Sequence, residues 1–223
     1  MRKIAVLWTV AALTMALGGT AVATPITTLT PLSSNGTGVF ALYVFSEAAD
    51  TLNLSEVSPN GISNIFCNYS NGGCTAAVPG QTVDLGNTNP GLVFSLTDIS
   101  VANTFRTDTF ASDGYAHDRV SATVDASNAG AVAGAYALYG QGALPSAVAA
   151  SIATLGLTAD TSVTFVAWED RIRGDYDYND LIFAFTDPPA AIDEPLSLAL
   201  FGVGLFGLGM IRRYRPQARV VRF

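Results

Sequence analysis

Hydrophobic and polar positions along the chain fall into three regimes. At the N-terminus Met-Arg-Lys leads into an apolar run over 4–17, which closes on Ala21-Val22-Ala23. The middle alternates short apolar segments with turn clusters: Ser33-Ser34-Asn35-Gly36, Ser58-Pro59-Asn60-Gly61, Asn71-Gly72-Gly73, Asn89-Pro90-Gly91, Ser112-Asp113-Gly114 and Asp187-Pro188-Pro189. Segments rich in Val, Phe, Tyr, Leu and Thr lie between them, among others 39–45, 92–96, 120–124, 163–168 and 181–185. Short strands at regular turn spacing predict an all-β domain, a β-sandwich or jelly roll. One alanine-rich stretch, 146–155 after Pro145, predicts a single short helix. The Thr-rich lead 24–34 and the segment 187–193 read as flexible flanks.

The third regime is the C-terminal 196–211, sixteen residues without a charge, preceded by Asp193-Glu194-Pro195 and followed by Arg212-Arg213-Tyr214-Arg215. Sixteen apolar residues suffice for a thin membrane if Arg212 and Arg213 snorkel, so a single transmembrane helix is expected at 196–211. The arginines beyond it should stay cytoplasmic, which places the middle segment outside. The N-terminal run is too short to span a bilayer and ends on a small-x-small pattern, the mark of a signal peptide cut between Ala23 and Thr24. The expected organisation is therefore a signal peptide at 1–23, an exported domain at 24–190 and a tail at 191–223.

Charge sharpens this division. Segment 24–190 holds sixteen Asp and Glu against four Arg and no Lys, while the tail holds five Arg against two acids. Nucleic acid is excluded as a partner, since its backbone needs a basic footprint. Cations are the expected counter-charge.

An acidic residue and proline, a short Leu/Gly/Ala-rich span and a terminal arginine cluster resemble the PEP-CTERM sorting signal of Gram-negative bacteria that make extracellular polysaccharide. In that family a membrane protease, exosortase, is thought to cut near the Pro-Glu-Pro motif. Here the motif stands as Asp193-Glu194-Pro195, with aspartate in place of the first proline. The resemblance implies signal peptidase and an exosortase-type protease as processing partners. It also implies an inner-membrane intermediate, then a cell-surface or extracellular-matrix destination associated with exopolysaccharide or biofilm.

Within the exported domain, Cys67 and Cys74 are the only cysteines, with Asn71-Gly72-Gly73 between them. In an oxidising compartment they read as a disulfide closing a tight loop. The densest chemistry lies in 168–181, where Glu169, Asp170, Asp175, Asp177, Asn179 and Asp180 all offer side-chain oxygens. Asp175, Asp177 and Asn179 alternate, so a tight loop can bring them to one centre, with Glu169 or Asp170 approaching from the preceding strand. Calcium, which takes six to eight hard oxygens in flexible geometry, suits this set better than zinc or magnesium. The spacing departs from an EF-hand because Asp180 replaces the glycine at its sixth place. The other reading makes the acids turn residues paired with Arg171 and Arg173, in exposed ion pairs of at most about 1 kcal/mol each.

The run Phe165, Trp168, Glu169, Asp170, Gly174, Asp175, Asp177, Tyr178, Asn179, Asp180 and Phe183 resembles the C-terminal signature of a bacterial secreted domain of unknown function, the family numbered 4114. Asp113-Gly114 and His117-Asp118 are similar to that family's earlier Asp/His segment, so the likeness covers about 105–185. It implies a fold and a metal site, and no reaction.

His117, the only histidine, reads as an ordinary surface or ligand-shell residue, because no Gly-x-Ser-x-Gly elbow or other activated nucleophile accompanies it. The expected function is non-enzymatic: an exported, calcium-stabilised surface or matrix domain. The alternative is a carbohydrate-binding module, with Tyr136, Tyr139, Tyr176 and Tyr178 as a sugar platform. A glycosidase built on paired carboxylates is the weaker variant.

Overall fold

The computed structural model describes residues 24–34, 38–88, 91–155 and 161–187. The predicted signal peptide up to Ala23, the transmembrane segment 196–211 and the sorting residues Asp193, Glu194, Pro195, Arg212 and Arg213 lie outside these residues. Among the described residues no helix is long and apolar enough to cross a membrane.

Among the described residues, ten strands form two antiparallel sheets. The first is built from β1 (Val39–Phe45), β4 (Thr82–Gly86), β7 (Asp118–Val120), β8 (Val124–Asp125), β9 (Ser162–Trp168) and β10 (Leu181–Asp187). Its order is β4-β1-β10-β9-β7, with β8 also pairing with β9. The second holds β2 (Leu52–Ser58), β3 (Phe66–Cys67), β5 (Val93–Asp98) and β6 (Asn103–Arg106) in the order β3-β2-β5-β6. The all-β expectation holds at this level, and the strand segment 39–45 coincides with β1.

The packing of the central strands follows from their composition. In β1, β9 and β10 apolar residues run on without polar alternation, as a strand covered on both faces requires. Val39, Ala41, Tyr43, Val166, Trp168, Leu181, Phe183 and Phe185 face the second sheet and meet Leu52, Leu54, Phe94, Leu96 and Phe105. Leu42, Val44, Phe165, Ala167, Ile182 and Ala184 point the other way, into a second core completed by helices. Phe94 stacks edge-on against Phe183 with ring centroids 4.6 Å apart.

Three expectations need correction. The single helix becomes two: α2 (Ser146–Leu155) sits where predicted, but α1 (Ala129–Tyr136) precedes it, followed by a 3-10 turn at Ala137–Tyr139. Asn128 caps α1, its side chain accepting from Ala131 N–H, and burial of Val132 and Tyr136 on the outer sheet face offsets the poor helix propensity of two glycines. The segment 120–124 is not one strand: at Ser121 the backbone N–H still donates to Phe165 O at 2.9 Å, but the return bond is made by the side chain, Oγ accepting from Phe165 N–H at 3.0 Å, and regular pairing stops between β7 and β8. The lead 24–34 is docked rather than a flexible flank, with bridges from Ile26 to Ala116 and from Leu32 to Leu92. The predicted disulfide Cys67–Cys74 is formed, with Cα atoms 6.1 Å apart.

Candidate metal centre

The acidic loop 169–180 joins β9 to β10, antiparallel neighbours whose last pair is Trp168 with Leu181. Asp180 N–H donates to Trp168 O at 3.1 Å and Asp170 N–H to Asp180 Oδ2 at 2.8 Å, so the two ends of the loop are clamped together. Three non-glycine residues within it, Arg173, Tyr176 and Tyr178, have φ of 59°, 55° and 55°, in the left-handed region. Such backbone is costly and persists only where surroundings over-determine it. Here the tyrosines are the anchors. Tyr178 is buried, its hydroxyl donating to Ala116 O at 3.1 Å and accepting from Ile26 N–H at 3.0 Å. Tyr176 donates to Asp113 Oδ2 at 3.0 Å.

Between these anchors the acids converge. Carboxylate oxygens of Glu169, Asp175 and Asp177 lie within 4.8 Å of one another, and so do those of Glu169, Asp170 and Asp180. Oxygens bound to one calcium at about 2.4 Å are separated by no more than about twice that distance, so either trio can share an ion. Glu169 is 2% exposed, and its Oε2 has no hydrogen-bond partner; Asp177 Oδ1 is buried and equally unpartnered. A buried carboxylate oxygen without a donor is expensive unless a cation faces it. Burial, followed by the charges of Asp180 and Asp175, pushes the Glu169 carboxyl up to about 8. Asp170, Asp177 and Asp180 are also raised, in each case chiefly by burial. The donor set, hard oxygens only, fits calcium. Glu169, Asp175 and Asp177 would hold such an ion, with Asp170 and Asp180 beside it, and it would neutralise their charge and cross-link the loop.

Asn179 lies at the edge of this group: its Nδ2 donates to Asp177 Oδ2 at 2.6 Å and to Glu47 Oε2 at 3.1 Å. Arg171, the expected partner of the loop acids, instead donates through Nη2 to Asp50 Oδ2 at 2.7 Å, and its Nε is 3.8 Å from Asp170 Oδ1. The exposed ion-pair reading therefore accounts for Asp50 and leaves the Glu169 and Asp177 oxygens unmatched.

His117 is buried, at 1% exposed, which corrects its reading as a surface residue. Its ring stacks on Phe105 at 4.2 Å, with Nδ1 3.1 Å from Glu169 O and Nε2 3.1 Å from Asp113 Oδ2. Burial pushes the Asp113 carboxyl up, but hydrogen bonds from His117, Tyr115 N–H, Arg173 N–H and Tyr176 outweigh it and hold it below the usual range. The upstream Asp113 and His117 thus support the acidic loop from beneath and reach none of the oxygen trios.

Of the four tyrosines read as a sugar platform, three are inside the fold, and only Tyr176 is partly exposed. Tyr136, Tyr139 and Tyr178 are buried at 1%, 4% and 1% exposure, and Tyr139 donates to Phe165 O within the fold. Glu47, Asp50 and Asp98 were not legible as part of the group: Glu47 and Asp50 lie in the β1–β2 connection and Asp98 ends β5, and the stacking of the second sheet on the first brings Asp98 to the loop. A cavity of about 340 Å³ opens over the group, lined among others by Asp50, Glu169, Asp170, Asp175 and Asp180. No protein-family model and no curated protein sequence matches the chain, so the site rests on its own geometry.

Proposed function

We propose that this chain is an exported, non-enzymatic β-domain whose acidic β9–β10 loop binds calcium, and that it acts at the cell surface or in an extracellular matrix. The observation that carries the cation is the buried, unpartnered Glu169 Oε2 within a group of carboxylates. Calcium is abundant outside cells, where it can neutralise this group as the domain folds. Export rests on the signal-like segment 1–23, and sorting on the likeness of 191–223 to exosortase substrates, with exopolysaccharide or biofilm as the setting. Folding in the presence of calcium would lock a loop held in strained backbone, which suits a coat or matrix component.

The test is thermal melting of the purified protein with and without calcium. Saturation at about 100 times Kd stabilises by about 2.7 kcal/mol, which for a chain of this size is roughly 5–10 °C. Asp177→Ala should abolish the gain. A melting curve unmoved by millimolar calcium would overturn the reading.

A further inference from the structure

The carboxylates at this end of the fold outnumber what one ion needs, and they divide into two groups. Besides the trio of Glu169, Asp175 and Asp177, oxygens of Asp50, Asp98 and Asp170 lie within 4.8 Å of one another. These three come from different elements: Asp50 from the β1–β2 connection, Asp98 from the last position of β5 in the second sheet, and Asp170 from the loop after β9 in the first. Asp98 is fully buried. Its Oδ1 accepts from Ser100 N–H at 2.8 Å, while Oδ2 is enclosed and has no hydrogen-bond partner. Asp170 is buried beside it, at 3% exposure.

The only cation touching this trio among the described residues is Arg171, and it approaches from the solvent side, with a side chain 62% exposed. Arg171 donates through both Nε and Nη2 to Asp50 Oδ2 and stands 3.8 Å from Asp170 Oδ1. One guanidinium, shared between Asp50 and a longer contact to Asp170, leaves the innermost carboxylate, Asp98, without an opposite charge among the described residues. Burial of like charges at this separation demands a counter-ion or a proton.

We infer that Asp50, Asp98 and Asp170 hold a second calcium ion beside the one assigned to Glu169, Asp175 and Asp177, so that the loop end of the fold is a two-cation centre. It rests on the cation reading of the acidic loop and extends it. Glu169, Asp170 and Asp180, whose oxygens also fall within 4.8 Å of one another, stand between the two positions. The cavity of about 340 Å³ that Asp50, Glu169, Asp170, Asp175 and Asp180 line gives both positions access from solvent. The second ion has a different mechanical consequence from the first. An ion at Glu169, Asp175 and Asp177 closes one loop on itself, whereas an ion at Asp98 and Asp170 ties the second sheet to the first.

Calcium titration of the full chain, purified in detergent and stripped of metal, tests this by isothermal calorimetry. Two equivalents of calcium are expected for the wild type. Asp98→Asn should retain one equivalent and Asp177→Asn the other, and melting of the Asp98→Asn protein should respond less to calcium than that of the wild type. Circular dichroism checks that each variant folds; should Asp98→Asn fail to, Asp50→Asn, at a partly exposed position, takes its place with the same expected loss of one equivalent. One equivalent in the wild type, lost in Asp177→Asn and unchanged in Asp98→Asn and Asp50→Asn, overturns the second ion and leaves the first standing. No binding at all overturns both.

Discussion

Glu169 Oε1 occupies the space that a Cβ on residue 174 would need, so the buried carboxylate at 169 keeps its place only beside a glycine at 174. The same Oε1 accepts from Arg171 N–H at 3.3 Å, and Gly174 N–H donates to Arg171 O at 3.1 Å. The loop thus wraps around the carboxylate, and only a residue without a side chain permits that approach.

Gly174→Ala should therefore displace Glu169 without altering any acid. Overpacking of this kind costs about 1–3 kcal/mol. Where that cost falls on the calcium-bound state, affinity should drop roughly 5- to 100-fold, since each factor of ten is about 1.4 kcal/mol. Melting and calcium titration of the variant check it, and wild-type affinity would show that Glu169 is not a ligand.

Asp118 gives a pH dependence separate from the acidic β9–β10 loop. It is buried, its Oδ1 lacks a partner, and burial raises its carboxyl to about 7. In the unfolded chain the group titrates near about 4. Between those values the folded state holds a proton that the unfolded state has released, so Asp118 makes stability fall as pH rises from about 4 to about 7. Asp118→Asn removes that dependence. At fixed saturating calcium, the variant should gain on the wild type as pH rises, by on the order of 1–3 kcal/mol at pH 8. Parallel melting temperatures across pH 5–8 would contradict this.

The Cys67–Cys74 bond closes a small loop in which Asn71 and Cys74 exchange backbone hydrogen bonds of 2.9 and 3.1 Å. Small loops stabilise at the low end of the range, about 2 kcal/mol. Reduction should lower the melting temperature by roughly 4–8 °C and leave the two sheets folded. Complete unfolding by reductant, read by circular dichroism, would show that the bond does more than close its loop.

If the resemblance of Asp193-Glu194-Pro195 to the sorting motif governs, the tail is cleaved. Proline favours an extended residue before it and disfavours helix, a combination that proteases accept. Mass spectrometry of material outside the cell should find a C-terminus near residue 195. Intact peptides covering 212–223, confined to the membrane fraction, would decide against cleavage.

The strands whose apolar runs are long and bounded by turns, β1, β9 and β10 above all, are legible in the residues alone, because strand formation there is a local matter of composition and punctuation. Legible there too are α2, the disulfide pair and the acids at 169–180, which are neighbours along the chain. Tertiary structure alone decided the rest. Helix α1 is glycine-rich and forms because the outer face of the first sheet needs covering, a demand invisible in 129–136 itself. The tyrosines at 136, 139 and 178 are core rather than surface for the same reason. Asp50 and Asp98 join Asp170 only because β2 and β5 of the second sheet end beside the β9–β10 loop, and His117 goes inside because Phe105 and Glu169 O enclose it. Convergence of charges from distant segments depends on how two sheets stack, and no local periodicity encodes that.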